Sequence, residues 1–300
     1  IMLSNIKLVI GYTQKNLLFK IYPLLRGLSF LLVSKKKHIL KPFDIEKEKK
    51  HAISFLEKYG FTKLKPISKL TINNILDLDL KKIKRNSIIV PSSYAYHYDD
   101  LLRLAKANKS TIIDERGVLP KERYKTGTSN HKMDFGISDV FFPEFALSDI
   151  QIEEICQFSQ KIDEFMYSLG KKRLDLINIY FYQNVFSPRC FHSDFMLDKY
   201  KVFLYLDDVE QFNQGPYAFL EKSHKGIFPL IQKLSRYIIK PFLGNDLGCG
   251  TWDAILYSHK SMTPIFAKKG EVVITHNRGI HGDFPCKENF NRRVLVLHYA

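Results

Sequence analysis

Residues 176–186 read LINIYFYQNVF, eleven positions without a charge and rich in β-branched and aromatic side chains. Such a run predicts a buried strand: these side chains suit a pleated surface, and nothing in the stretch resists leaving water. A chain built around it needs partner strands, and four stretches qualify: YKVFLYLDDV (200–209), GPYAFLEKS (215–223), GEVVITH (270–276) and RRVLVLHY (292–299). Gly, Pro and Asn turns punctuate them, and few helical patterns intervene. That texture predicts a mainly β protein with flanking helices, an antiparallel sandwich or jelly roll.

Helical patterns cluster earlier. Residues 44–60 predict a helix with Asp44 as N-cap and Gly60 closing it. FTKLKPI (61–67) then predicts a short strand, Ser68 a further helix cap, and SIIV (87–90) another strand. Residues 148–169 predict a helix whose apolar stripe is Ile150, Ile152, Ile155, Cys156, Ile162, Phe165 and Met166. Residues 225–268 form a long connection between two predicted strands, with a helical stretch at 228–239 that suits a lid or substrate wall. There is no internal repeat, Gly-rich phosphate loop or GxSxG elbow.

The formal net charge is +15, and its placement matters. Residues 1–50 hold eleven Lys/Arg against three Asp/Glu, whereas residues 151–250 hold twelve of each. A nucleic-acid reader carries its basic footprint on the folded domain, so that class is disfavoured. A basic N-terminal segment, residues 1–43, fits peripheral contact with an anionic membrane surface or a polyanion, or else a solubilising run. Leu17, Ile21, Leu24, Leu28 and Leu31 recur at helical spacing there, but Lys20, Pro23 and Arg26 leave too short an apolar run to span a bilayer. Residues 7–20 keep three lysines and show no small-residue cleavage site, which speaks against a secretory leader. Cys156, Cys190, Cys249 and Cys286 form no CxxC pair and read as free thiols of a reducing, cytoplasmic compartment.

The chemistry concentrates after the charge-free strand. His192 and Asp194 in FHSDF stand two apart, so in extended chain they face one side. His281 follows GEVVITH, and Arg292 and Arg293 open the last apolar strand. Two histidines and one carboxylate on a β scaffold make a facial triad suited to non-haem Fe(II), because three coordination positions stay open. A nearby arginine can clamp a dicarboxylate through its planar fork.

These segments resemble the phytanoyl-CoA dioxygenase (PhyH-like) family of Fe(II)/2-oxoglutarate-dependent oxygenases, over roughly residues 45–300. FHSD is similar to the family's HxD motif. VFLYLDDVEQFNQGPYAFLEKSHK (202–225) and GEVVITHNRGIHGDFPCKENFNRR (270–293) resemble the stretches that follow it. The resemblance implies a double-stranded β-helix (cupin-like jelly roll) spanning 44–300, with 225–268 as an insertion. It implies iron held by His192, Asp194 and His281, with 2-oxoglutarate as cosubstrate and O2 as oxidant. The far carboxylate of 2-oxoglutarate would lie on Arg292, eleven positions past His281. Arg293 would face the other way, and Tyr180 and Phe203 would line the cosubstrate pocket. His276 is a rival third ligand but precedes the RGIHG pattern. His224, in KSHK, reads as structural, and Asp207 and Asp208 as turn formers. Trp252 reads as core, and His131 and Asp134 as solvated. Asp283 stands where the family commonly has a small hydroxyl residue, which bears on cosubstrate binding. The implied activity is hydroxylation of a small-molecule, lipid or lipid/sugar-linked substrate. The alternative is an inactive jelly-roll binding module with a basic arm.

Overall fold

The computed structural model describes residues 40–67, 72–85, 87–90, 98–115, 136–183, 185, 191–194, 198–230, 259–286 and 290–300. The N-terminal amphipathic stretch 17–37, the Ser68 cap, His131, Asp134, Trp252, Cys190, Cys249 and most of the 225–268 insertion lie outside these residues. No helix among the described residues is long and apolar enough to cross a membrane.

Among the described residues five α-helices and eleven strands follow one another: α1 (Lys49–Tyr59), β1 (Phe61–Leu64), α2 (Asn73–Leu76), α3 (Leu80–Lys84), β2 (Ser87–Val90), α4 (Tyr98–Asn108), β3 (Thr111–Glu115), β4 (Ile137–Phe141), α5 (Asp149–Tyr167), β5 (Arg173–Gln183), β6 (Tyr200–Tyr205), β7 (Tyr217–Phe219), β8 (Thr263–Ile265), β9 (Val272–His276), β10 (His281–Asp283) and β11 (Asn291–Tyr299). Eight strands form one sheet in the order β1-β9-β6-β11-β5-β4-β3-β2, and β10-β7-β8 form a second. All neighbours are antiparallel except β2 and β3.

Period-2 alternation gives the large sheet two apolar faces. Val202, Leu204, Ile274, Leu295, Leu297, Ile179 and Phe181 pack under the helices, with Leu56 of α1 and Phe158, Ile162 and Phe165 of α5. Phe203, Tyr205, Val273, Val294, Val296 and Tyr182 turn the other way and meet Tyr217, Phe219 and Ile265 of the small sheet. Two sheets sharing this inner layer, one faced outside by helices, form a jelly-roll core of the cupin-like kind.

Several expectations need correcting. The first helix begins at Lys49 and its N-cap is Glu48, not Asp44. Asp44 instead closes a turn just upstream, accepting from the amides of Glu46 and Lys47. Gly60 ends that helix as expected, in the left-handed conformation. In α5, Ile150 is 54% exposed and Cys156 lies at the surface, because the buried face runs through Ile155, Phe158, Ile162 and Phe165 and both lie off it. Phe158, absent from the expected stripe, is fully buried. The strands expected over 200–209 and 215–223 are shorter, since Asp207 and Asp208 turn the chain after β6 and Glu221 and Lys222 turn it after β7.

Candidate metal centre

His281 opens β10 and pairs with Phe219 of β7. On its free edge β10 receives residue 192: the His192 amide donates to the His281 carbonyl at 2.8 Å, and the His281 amide to the His192 carbonyl at 2.7 Å. This reciprocal pair sets the two imidazoles side by side, ring centroids 4.7 Å apart. Two residues on, the Asp194 amide donates to the Asn277 carbonyl, which turns the Asp194 carboxylate toward both rings. Asp194 Oδ1 lies 3.4 Å from His192 Nε2, and Oδ2 lies 3.5 Å from His281 Nε2. One ligand atom from each of the three residues falls within 4.8 Å of the others, among the described residues the only such His/Cys/Asp/Glu group.

Protonation suits a metal. A carbonyl only accepts, so the 2.9 Å contact between His281 Nδ1 and the Gly279 carbonyl places a proton on Nδ1. In the neutral ring the Nε2 lone pair then faces the centre. Burial works to raise the Asp194 pKa, but Lys201, His281 and His192 outweigh it and hold the carboxyl well below its ordinary range. The Lys201 ammonium donates directly to Asp194 Oδ2. Tyr217 stacks on the His281 ring at 5.6 Å and fixes its plane.

The triad lines a cavity of about 310 Å³ between the two sheets. Tyr180, Tyr182 and Phe203 line it, as do Lys199, Lys201 and His298. Strand register separates two ends: Arg292 lies opposite Tyr182, and His298 opposite Lys201, six positions along β11.

Arg292 is 1% exposed, whereas Arg293 points to the other face and is clasped by Asp207 through Nε (2.9 Å) and Nη2 (2.6 Å). Asp207 therefore anchors Arg293 as well as shaping the turn, while Asp208 accepts from the Lys269 amide. Arg292 Nη2 donates to Asp283 Oδ1 at 2.8 Å, Nη1 donates to the Gly215 carbonyl, and the guanidinium lies 3.7 Å above the Tyr182 ring. Asp283 lines the cavity; Arg292 is not among the residues that do.

His276 stands apart from the triad. Its Nδ1 accepts from the Arg278 amide, and its Nε2 lies 2.9 Å from Asp198 Oδ1. His224 Nε2 lies 3.0 Å from the Glu57 carbonyl, a link between the turn after β7 and α1. Sequence reasoning missed Lys199, Lys201, His298 and Tyr182. A period-2 reading of KYKVFLY would have put Lys199 and Lys201 on the Phe203 face.

No family model and no curated protein matches the chain. Among solved structures it is similar to the non-haem α-ketoglutarate-dependent carbocyclase SnoK from nogalamycin biosynthesis. That likeness has 14% identity, covers 86% of each chain and has a TM-score of 0.48. It is also similar to the epimerase SnoN from the same biosynthesis (11% identity, 85% of this chain and 83% of that one, TM-score 0.43). A third is HygX from Streptomyces hygroscopicus, solved with nickel and 2-oxoglutarate (11% identity, 83% and 86%, TM-score 0.43). Similarity of this degree establishes neither a shared family nor a shared activity.

Proposed function

We propose that this chain is a non-haem Fe(II)- and 2-oxoglutarate-dependent oxygenase that hydroxylates a C–H bond of a small-molecule or lipid-linked substrate. The observation that carries the reading is the convergence of His192, Asp194 and His281 on one point of a cavity. The donor set fits Fe(II): two imidazoles and one ionised carboxylate, all from one side. Bound there, iron with 2-oxoglutarate and O2 would supply oxidation of C–H to C–OH, with succinate and carbon dioxide released.

The chain's own residues would do the rest. Gly279 holds the tautomer of His281, and Tyr217 its plane. Tyr180, Tyr182 and Phe203 would exclude water and shape the cosubstrate's seat, and Arg292 would answer its far carboxylate. The cavity volume of about 310 Å³ suits a small molecule or the reactive end of a longer one. The basic surplus of residues 1–50 supports an anionic or membrane-associated substrate and peripheral membrane contact.

The test is anaerobic addition of Fe(II) and saturating 2-oxoglutarate. A visible metal-to-ligand charge-transfer band is expected, absent in Asp194→Ala, with succinate forming when air is admitted. Folded wild-type protein without a band would overturn the reading.

A further inference from the structure

We propose that Asp283 is a built-in competitor for the cosubstrate: its carboxylate holds the part of Arg292 that the far carboxylate of 2-oxoglutarate needs, so the dicarboxylate binds by displacing it. The inference rests on the oxygenase reading above and concerns the selectivity of that same site.

The position of Asp283 follows from β10. His281 and Asp283 are two apart on a three-residue strand, pairing with Phe219 and Tyr217 of β7. Both side chains therefore point to the same face, one into the triad and the other onto Arg292. Asp283 lines the cavity, with the guanidinium behind it.

The competition follows from the arginine's fork. A carboxylate meets guanidinium best with two parallel hydrogen bonds, along either the Nε/Nη2 edge or the Nη1/Nη2 edge. Asp283 Oδ1 holds one N–H of Nη2 at 2.8 Å, and the Asp283 carboxylate rather than the guanidinium lines the cavity. Nη1 in turn donates to the Gly215 carbonyl. That carbonyl is fixed: Gly215 has φ +64, and a Cβ there would lie 2.4 Å from Cys286 Sγ. Of the three guanidinium nitrogens, only the buried Nε has no protein partner. Because Asp283 lines the cavity and Arg292 lies behind it, a ligand in the cavity reaches a full fork only by moving Asp283.

Charge gives the same sign. A buried, unpaired guanidinium is costly, and Asp283 neutralises it before any ligand arrives. A dicarboxylate then meets a neutral pair rather than a cation. A small hydroxyl in place of Asp283 would leave the cation for the ligand.

The experiment uses full-length protein loaded with Mn(II) and calorimetric titration with two acids. One is 2-oxoglutarate; the other is 2-oxopentanoate, of the same length but without the far carboxylate. Wild type is compared with Asp283→Ser and the near-isosteric Asp283→Asn, so that a misfolded variant does not decide the matter. The expected result is tightening of 2-oxoglutarate by about tenfold in both variants, with 2-oxopentanoate unchanged. Unchanged or weaker 2-oxoglutarate binding, or an equal gain for both acids, would overturn the competitor role and leave the oxygenase reading standing. If neither acid binds wild type or variants at millimolar concentration, both readings fall.

Discussion

Lys201 is a cation placed where a second cation is expected. Its ammonium donates to Asp194 Oδ2, and only 16% of its side chain is exposed. A divalent ion entering the triad meets that charge at close range, where Coulomb energy is poorly screened. Lys201→Met should therefore tighten Mn(II) binding by about five- to tenfold, read as free Mn(II) in electron paramagnetic resonance titrations. Looser binding would mean that Lys201 chiefly orients the carboxylate. His192, Asp194 and His281 were legible in the sequence through a combination: a histidine and a carboxylate two apart carry little alone, but with a distant histidine and an arginine eleven positions beyond it they form a specific pattern. Lys201 was not: in a chain with 46 Lys/Arg a single lysine carries no signal, and its role comes from a neighbour across the fold. Asp283 was visible as a departure from pattern, but its partnership with Arg292 spans nine residues and two sheets.

Elements were legible in proportion to their length. The long strands β5 and β11 and the helix α5 stand out by period, whereas β8 and β10 have three residues each, too few for alternation to show. The helix start moved from Asp44 to Glu48 because Asp44 found closer amides in its own turn. The other end held, since Gly60 does two jobs. With φ at +90 it ends α1 and sends the chain directly into β1, and its bare Cα lets His224 and Phe219 approach. A Cβ there would sit 2.5 Å from His224 Nδ1 and 2.7 Å from Phe219 Cε1. Gly60→Ala should cost about 3 kcal/mol through backbone strain and overpacking, seen as a lower urea midpoint with an unchanged slope. A loss below about 0.5 kcal/mol would show that this junction relaxes freely.

For the whole molecule, acid should be the weak point well before carboxylates titrate. The His224 and His276 rings lie 5.2 Å apart at the α1–β9 junction. Burial first, then neighbouring positive charge, pushes each down to about 4, against the pull of the Glu57 carbonyl on His224 and of Asp198 on His276. The unfolded chain takes up protons near pH 6.5 that the folded protein refuses until about pH 4. Stability from this pair is thus complete above the unfolded value and falls as pH drops through that window. The pair should lose on the order of 4 kcal/mol of stability between pH 7 and pH 5, as followed by denaturation at each pH, and His276→Gln should remove about half of that slope. A flat wild-type profile over that range would contradict the neutral pair.

The strand order of the large sheet also bears on how the protein comes into being. β11 is the last strand in the chain but lies between β6 and β5, joining the β1-β9-β6 half to the β5-β4-β3-β2 half. Until it arrives, β5 and β6 each present an unpaired central edge of aromatic and β-branched residues. During synthesis, therefore, two open half-sheets precede the strand that joins them. The nascent chain must stay soluble through that interval, and Arg292 takes its place behind Asp283 with the same strand that joins the two halves.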